Sequence, residues 1–242
     1  MTETQSASVR HTELLVCAAT EMELAAYLLT DETWEPDSSE HGSYSEPITY
    51  LVTGVGIPCA LARTLLLTRS ISPARILNIG IAGAYRSSSL TIGAVVMGES
   101  EVYGDIGFEL PGTKNDIPGF QSIQSSPFAG ELYSRPLPLA LDPQFRRSDN
   151  GEDILVRRGC TVNACAGTDA TGIQRSEMFG AGFESMEGAA IAQVGLLCGI
   201  PVCEVRAISN FAADRDMRPE NIRLALNSLR DHLQYCRRAI RG

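Results

Sequence analysis

The feature that most constrains the fold is a recurring unit: a short, mostly apolar run that stops where a glycine or a helix-opening residue appears. Residues 13–19 (ELLVCAA), 48–52 (ITYLV), 75–81 (RILNIGI), 94–97 (AVVM), 160–165 (CTVNAC) and 202–208 (VCEVRAI) are such runs. They are too short for helices and read as strands buried on both faces, the habit of parallel sheets. Helix signals stand between them. Thr20 is placed to cap a helix, with Glu23 at capping-box spacing. Gly54-Val55-Gly56 closes the second run, and Pro58 opens a helix that carries Leu61, Leu65 and Leu66 on one face. A last amphipathic helix keeps Ile222, Ala225, Leu226, Leu229, Leu233 and Ile240 at helical spacing. Alternating strands and helices predict an α/β fold: three layers, α/β/α, around a central, mostly parallel, twisted mixed sheet. Ligands in such folds gather at the carboxyl ends of strands. Glu23, Gly83, Glu187 and Asn210 all follow predicted strands or open helices beside them, so one pocket is expected to collect them.

The length of 242 residues suits one large domain, predicted over 13–242 after a polar, disordered tail at 1–12. The polar stretch 31–46 reads as a loop or exposed edge. From 103 to about 151, Pro, Gly, Ser and Gln break the pattern. So long a loop in a compact domain is expected to act as a lid or subunit contact. A formal charge of −9 argues against a nucleic-acid partner. No run reaches membrane-spanning length, so no membrane partner is expected. The seven cysteines form no CxxC pair and lie in part within apolar runs, which points to a reducing cytoplasm and to no bound metal. Of the glycine motifs, Gly54-Val55-Gly56 lacks the third glycine of a dinucleotide fingerprint because Cys59 stands there, and no phosphate-cradling GxxxxGK[ST] occurs. His11, His41 and His232 lie in the tail, a polar loop and the last helix, none well placed for catalysis.

The segment Phe183-Glu184-Ser185-Met186-Glu187-Gly188-Ala189-Ala190 puts Glu187 at the mouth of an apolar helix continued by Ile191, Ala192, Val194 and Leu197. An unpaired carboxylate at the edge of a core is costly, and a carboxylate can only accept hydrogen bonds. Two ribose hydroxyls would be suitable donors. A plain helix-dipole role competes with that reading.

Taken in order, Ala19-Thr20-Glu21-Met22-Glu23, Gly80-Ile81-Ala82-Gly83, Glu184 to Ala190 and Val205-Arg206-Ala207-Ile208-Ser209-Asn210 resemble the nucleoside phosphorylase/nucleosidase superfamily, particularly its hydrolytic members. The similarity runs from Leu14 to Leu233. Within it the chain looks most like the futalosine hydrolase family, on GIAGAY (Gly80 to Tyr85), YGDIGFE (Tyr103 to Glu109), ESMEGAA, and RAISN followed by Asp214-Arg215-Asp216. The family's Asn is kept at Asn221, without its Trp.

That resemblance implies a nucleoside phosphorylase/hydrolase-like fold and an N-ribosyl hydrolase in the futalosine route to menaquinone, working without cofactor or metal and usually as a dimer or larger homo-oligomer. Glu187 would grip the ribose hydroxyls while Met186 packs on the sugar. Glu23 would activate the attacking water, although its capping-box role competes with this. Arg206 would pair with a site carboxylate or hold the water, or form a structural ion pair. Ile81, with Ala82 and Gly83, would line the substrate site and offer phosphate nothing. Asn210 would donate to N7 and O6 of a 6-oxopurine, with Asp214 as a distant acid. Tyr103, Phe108 and Phe120 are candidates for the pocket of the substrate's 5′ arm. The alternatives are a methylthioadenosine/adenosylhomocysteine nucleosidase, an inosine-type phosphorylase, and a nucleoside-binding protein without turnover.

Overall fold

The structure is a computed structural model that describes residues 12–28, 48–111, 119–125, 135–213 and 216–239. Its elements in chain order are β1 (Leu14–Ala18), α1 (Glu21–Leu28), β2 (Ile48–Val52), α2 (Ile57–Ile71), β3 (Arg75–Ala84), β4 (Val95–Tyr103), β5 (Gly107–Leu110), β6 (Gly119–Ser122), β7 (Leu137–Pro138), β8 (Leu155–Thr161), α3 (Asp169–Phe179), β9 (Phe183–Ser185), α4 (Gly188–Cys198), β10 (Val202–Phe211) and α5 (Pro219–Ala239).

The main sheet begins with four parallel neighbours, β2, β1, β3 and β10. Antiparallel β4 follows β10, and β8 and β9 continue parallel to β4. The sheet then closes on itself. β1 ends where Ala18 meets Ile79, so the longer β3 runs on alone on that side, and β9 pairs with it at Gly83 and Ala84. This closure carries residues 183–187 to the carboxyl end of β3.

Side-chain alternation along the short central strand builds the layers. Leu14, Val16 and Ala18 pack with Leu24 and Tyr27 of α1 and with Ala225, Leu229 and Leu233 of α5. Leu15 and Cys17 face the other way, onto Ala60 of α2 and Ala190 and Ile191 of α4. The three-layer α/β/α arrangement with a mixed central sheet is as the sequence predicts.

Several expectations change in detail. β3 continues through Ala82-Gly83-Ala84 instead of turning there, and β4 extends to Tyr103. β8 lies at 155–161, earlier than expected. On α2 the buried stripe is Ala60, Thr64 and Thr68, with Leu66 72% exposed. Leu197 is likewise exposed on α4. Small residues let these two helices press against the sheet, and the leucines turn outward. The expected long loop holds a hairpin, β5–β6, and the short strand β7. α3 and β9 were not anticipated: the apolar period of α3 is weak, and its ends are set by Thr168, whose side chain accepts from Thr171 N–H, and by Gly180 at φ 60°. The expected tail, the loop at 31–46, Asp214 and Ile240 lie wholly or largely outside the described residues.

Candidate active site

The carboxyl ends of β1, β3 and β10 open into a cleft lined by Thr20, Met22, Glu23, Val55, Ile81, Ala82, Gly83, Cys165, Glu184, Ser185, Met186, Glu187, Ser209, Asn210, Met217, Ile222 and Leu226, together with Ala19. Two acidic residues distant in sequence, Glu23 and Glu187, therefore share one cavity with Asn210.

Glu23 is fixed by the helix start that the sequence announces. Its Oε2 accepts from Thr20 N–H (3.0 Å) and Thr20 Oγ1 (2.8 Å), while Thr20 Oγ1 accepts in return from Glu23 N–H. Its Oε1 accepts from Ile81 N–H at 2.9 Å. The capping box and the site are thus one device: the cap aims the carboxylate across the end of β3. Three donors leave one acceptor position on a carboxylate with about four, free for a water or substrate donor.

Glu187 stands at the N-cap of α4, and Gly56 N–H donates to its Oε1 at 2.9 Å. Gly56 has φ 94°, a conformation that side chains rarely adopt, and this turn aims its N–H into the site. Burial raises the Glu187 pKa, opposed chiefly by the Arg206 charge. The Arg206 Nη1 lies 3.9 Å from Glu187 Oε2, an ion pair too long for a hydrogen bond, and both side chains are nearly inaccessible. Arg206 does not line the cleft but lies beneath it, its Nε donating to Glu204 Oε1 at 2.8 Å. Burial works against its charge, yet Glu204, Glu187 and Glu23 outweigh that and keep the guanidinium protonated. Glu187 Oε2 therefore keeps acceptor capacity toward the cleft.

Asn210 sits after a register shift in β10, between Ile208 and itself, that re-aims the strand end. Ser209 Oγ donates to its Oδ1 (3.0 Å), and its Nδ2 donates to the Phe211 carbonyl (2.8 Å). One N–H of the amide is thereby used, so a bound base would find one donor there, not two.

Met186, Ile81, Ala82 and Gly83 line the cleft. The three aromatic candidates do not. Tyr103 is buried with its hydroxyl on Gln193 Oε1 (2.6 Å), Phe108 is exposed on β5, and Phe120 lines a separate depression beside Arg175. Met22, Val55, Met217, Ile222 and Leu226 supply the apolar wall instead. His232 is buried with Nε2 on the Phe145 carbonyl, away from the cleft. Glu101 and Glu204, absent from the residues singled out by sequence, are both fully buried below the site. Glu204, set among Val202, Cys203 and Val205, was the available signal; Glu101 follows Gly98-Glu99-Ser100 and offered none. Glu184 borders the cleft, but its oxygens are taken by Ala166 N–H, Tyr85 OH and Arg175 Nη1. Among the described residues no group of His, Cys, Asp and Glu could hold a metal ion.

The chain belongs to the phosphorylase superfamily, whose model matches residues 15–240. Within it, the chain is similar to the futalosine hydrolase of Thermus thermophilus, 31% identical over 74% of this chain and 76% of that protein. It is also similar to the futalosine hydrolase of Streptomyces coelicolor, 28% identical over 64% and 62%. A mutant futalosine hydrolase of Helicobacter pylori shares the fold with a TM-score of 0.72 at 15% identity, over 94% of this chain and 99% of that one. The methylthioadenosine/adenosylhomocysteine nucleosidase of the same organism does so with a TM-score of 0.72 at 16% identity, over 95% and 99%.

Proposed function

We propose that this chain is a purine nucleoside N-ribosyl hydrolase that cleaves futalosine to hypoxanthine and dehypoxanthine futalosine, a step toward menaquinone. The observation that carries the reading is the joint presence of Glu23, Glu187 and Asn210 on one cleft. The similarity to two futalosine hydrolases supports the substrate.

As the base departs with the bonding electrons, positive charge grows on the sugar, and rate comes from stabilising that separation more than the substrate. Glu187 accepts hydrogen bonds from the ribose hydroxyls and holds negative charge beside the cationic sugar. Arg206 restrains it from below. Glu23 uses its remaining acceptor position on the attacking water and takes its proton as general base. Asn210 donates its free N–H to the departing 6-oxopurine. Met22, Val55, Met217, Ile222 and Leu226 receive the apolar part of the 5′ arm.

Water is favoured over phosphate as nucleophile because the described cleft residues include carboxylates and no Lys or Arg. A phosphate dianion there would meet like charge without a partner. Ile81 at this place adds only an aliphatic side chain.

We extend the reading to a single domain over 13–242 that works in the cytoplasm as a homo-oligomer. The cysteines described are all free, which suits a reducing compartment. Leu66, Leu196 and Leu197 are exposed on the packed pair α2 and α4, an apolar face suited to a second copy. No helix among the described residues is long and apolar enough to cross a membrane.

The test is incubation with futalosine, inosine and methylthioadenosine, with and without phosphate, following free base by chromatography. Hypoxanthine from futalosine without phosphate is expected. Adenine release alone, or a phosphate requirement, would overturn the reading. Glu23→Gln should lower kcat by about 10²–10⁴, the usual worth of a general base.

A further inference from the structure

Two glutamates that no step above uses lie directly under the site. Glu101 on β4 and Glu204 on β10 are both 0% exposed. Glu204 Oε1 accepts from Arg206 Nε and from Asn78 Nδ2 (3.0 Å). Glu101 Oε2 accepts from Thr161 Oγ1 at 2.7 Å. The other oxygen of each, Glu101 Oε1 and Glu204 Oε2, meets no donor among the described residues. The two carboxyl groups nevertheless come together at one place, the Cβ position of Gly188, which lies against an oxygen of each. An acceptor facing an acceptor in a dry interior is repulsive unless a proton stands between them.

The backbone is shaped around this pair. A Cβ on Gly188 would stand 2.7 Å from Glu204 Oε1 and closer still to Glu101 Oε1. A Cβ on Gly98 would stand 2.9 Å from Glu204 Oε2. Gly159 leaves room for Glu101 Oε1 in the same way. Three glycines on three elements make space for two carboxyl groups.

The pair is also wired to both sides of Glu187. Thr161 Oγ1, which donates to Glu101, accepts from Ala189 N–H in the first turn of α4 at 2.7 Å. Glu204 holds Arg206, and Arg206 pairs with Glu187, the residue capping that same helix. The circuit runs from Ala189 through Thr161, Glu101, Glu204 and Arg206 back to Glu187.

We infer that Glu101 and Glu204 share one proton and act as a positioning pair, whose single negative charge orients Arg206 and, through it, Glu187. The charge count agrees. With both ionised, four buried carboxylates (Glu23, Glu101, Glu187, Glu204) would face one guanidinium. Burial first, then the Glu204 charge, pushes the Glu101 pKa well above its ordinary value. The Glu187 role rests on the proposed function, whereas the shared proton does not.

Two measurements test this on the full chain. Infrared spectroscopy of the substrate-free protein at neutral pH should show the carbonyl stretch of a protonated carboxylic acid, shifted in heavy water and absent in Glu101→Gln. That variant should fold with an unfolding midpoint no lower than that of wild type at neutral pH, since its amide supplies the donor without the cost of keeping a proton. Glu204→Gln removes the anionic partner of Arg206 and should raise KM for the nucleoside on the order of tenfold, with a smaller change in kcat. No such band in the wild-type protein, a band that survives Glu101→Gln, or an unchanged KM in folded Glu204→Gln would overturn the inference. Should Glu204→Gln fail to fold, the infrared comparison of wild type with Glu101→Gln decides. A protein that shows the band but hydrolyses no nucleoside would sink the proposed function and leave the shared proton standing.

Discussion

Replacing Gly80 with alanine separates the catalytic worth of Glu23 from its structural worth. Gly80 lies inside β3, where a methyl carbon would stand 2.5 Å from Glu23 Oε1 and closer still to Arg206 Nη1. Reaching ordinary van der Waals separation requires the Glu23 carboxylate to retreat by about 1 Å. Both obstructing atoms are the ends of long side chains, not backbone, so the fold can yield by moving them. Overpacking of this kind costs about 1–3 kcal/mol. The loss of a glycine's freedom in the unfolded chain offsets about 0.4–1 kcal/mol of that. A net cost near 1–2 kcal/mol lowers the unfolding midpoint by about 2–8 °C, which leaves the enzyme folded at room temperature. The site is less forgiving. The retreat takes Glu23 Oε1 off Ile81 N–H and off its line to the water, and a 1 Å misplacement of this sort costs about 10²-fold, or about 2.7 kcal/mol of barrier. The expected variant is therefore folded, with kcat/KM for hypoxanthine release down about 100-fold. Steady-state kinetics beside a thermal melt reads both. A folded Gly80→Ala enzyme with wild-type kcat/KM would refute the assignment of water activation to Glu23.

Gly188→Ala should be worse for stability, because its methyl meets the buried carboxyls of Glu101 and Glu204; a loss of about 3 kcal/mol, about 6–12 °C in midpoint, is expected by calorimetry. Asn210→Asp replaces an amide that donates to the Phe211 carbonyl with a group that can donate only when protonated. Competition between futalosine and methylthioadenosine should move toward adenine release by about tenfold, one hydrogen bond's worth. For pH, the raised pKa of Glu101 means that the folded chain keeps a proton which the unfolded chain releases above the ordinary carboxylate range. Its stabilising contribution is full at low pH and falls as pH rises toward the raised value, by about 1.36 kcal/mol per pH unit for one proton. Denaturant titrations across pH should show this slope in wild type and a shallower one in Glu101→Gln. Glu187 is shifted in the same direction, so KM should worsen on the acid side beginning above the ordinary carboxylate range, as protonation removes its acceptor role.

What could be read along the chain was whatever depends on near neighbours. The runs at β1 and β10 were legible because burial on both faces leaves a mostly hydrophobic string, and the half-buried β2 because Tyr50, Leu51 and Val52 stand together. The start of α1 was legible because a capping box is a contact between Thr20 and Glu23, three residues apart. The same logic placed Glu23 and Glu187 at helix starts beside strand ends. α3 escaped because its ends, Thr168 and Gly180, carry the signal that its apolar period lacks. Leu66 was assigned to the wrong face of α2 because small Ala60, Thr64 and Thr68, not the largest side chains, decide which face can press against α4 and the sheet.

By itself, the sequence determined the α/β class, the helix openings, and the pair of acidic residues with an amide that the resemblance singles out. Only the tertiary structure decided that β9 returns to the end of β3, that Gly56 turns its N–H onto Glu187, that one hydrogen of Asn210 is already taken, and that Glu101 and Glu204 meet under Arg206. The reason is physical. Caps and apolar strings are held by residues a few positions apart, whereas Gly56 and Glu187 are 131 residues apart and meet only once the sheet has formed. A buried carboxyl, in turn, is set by what surrounds it in space.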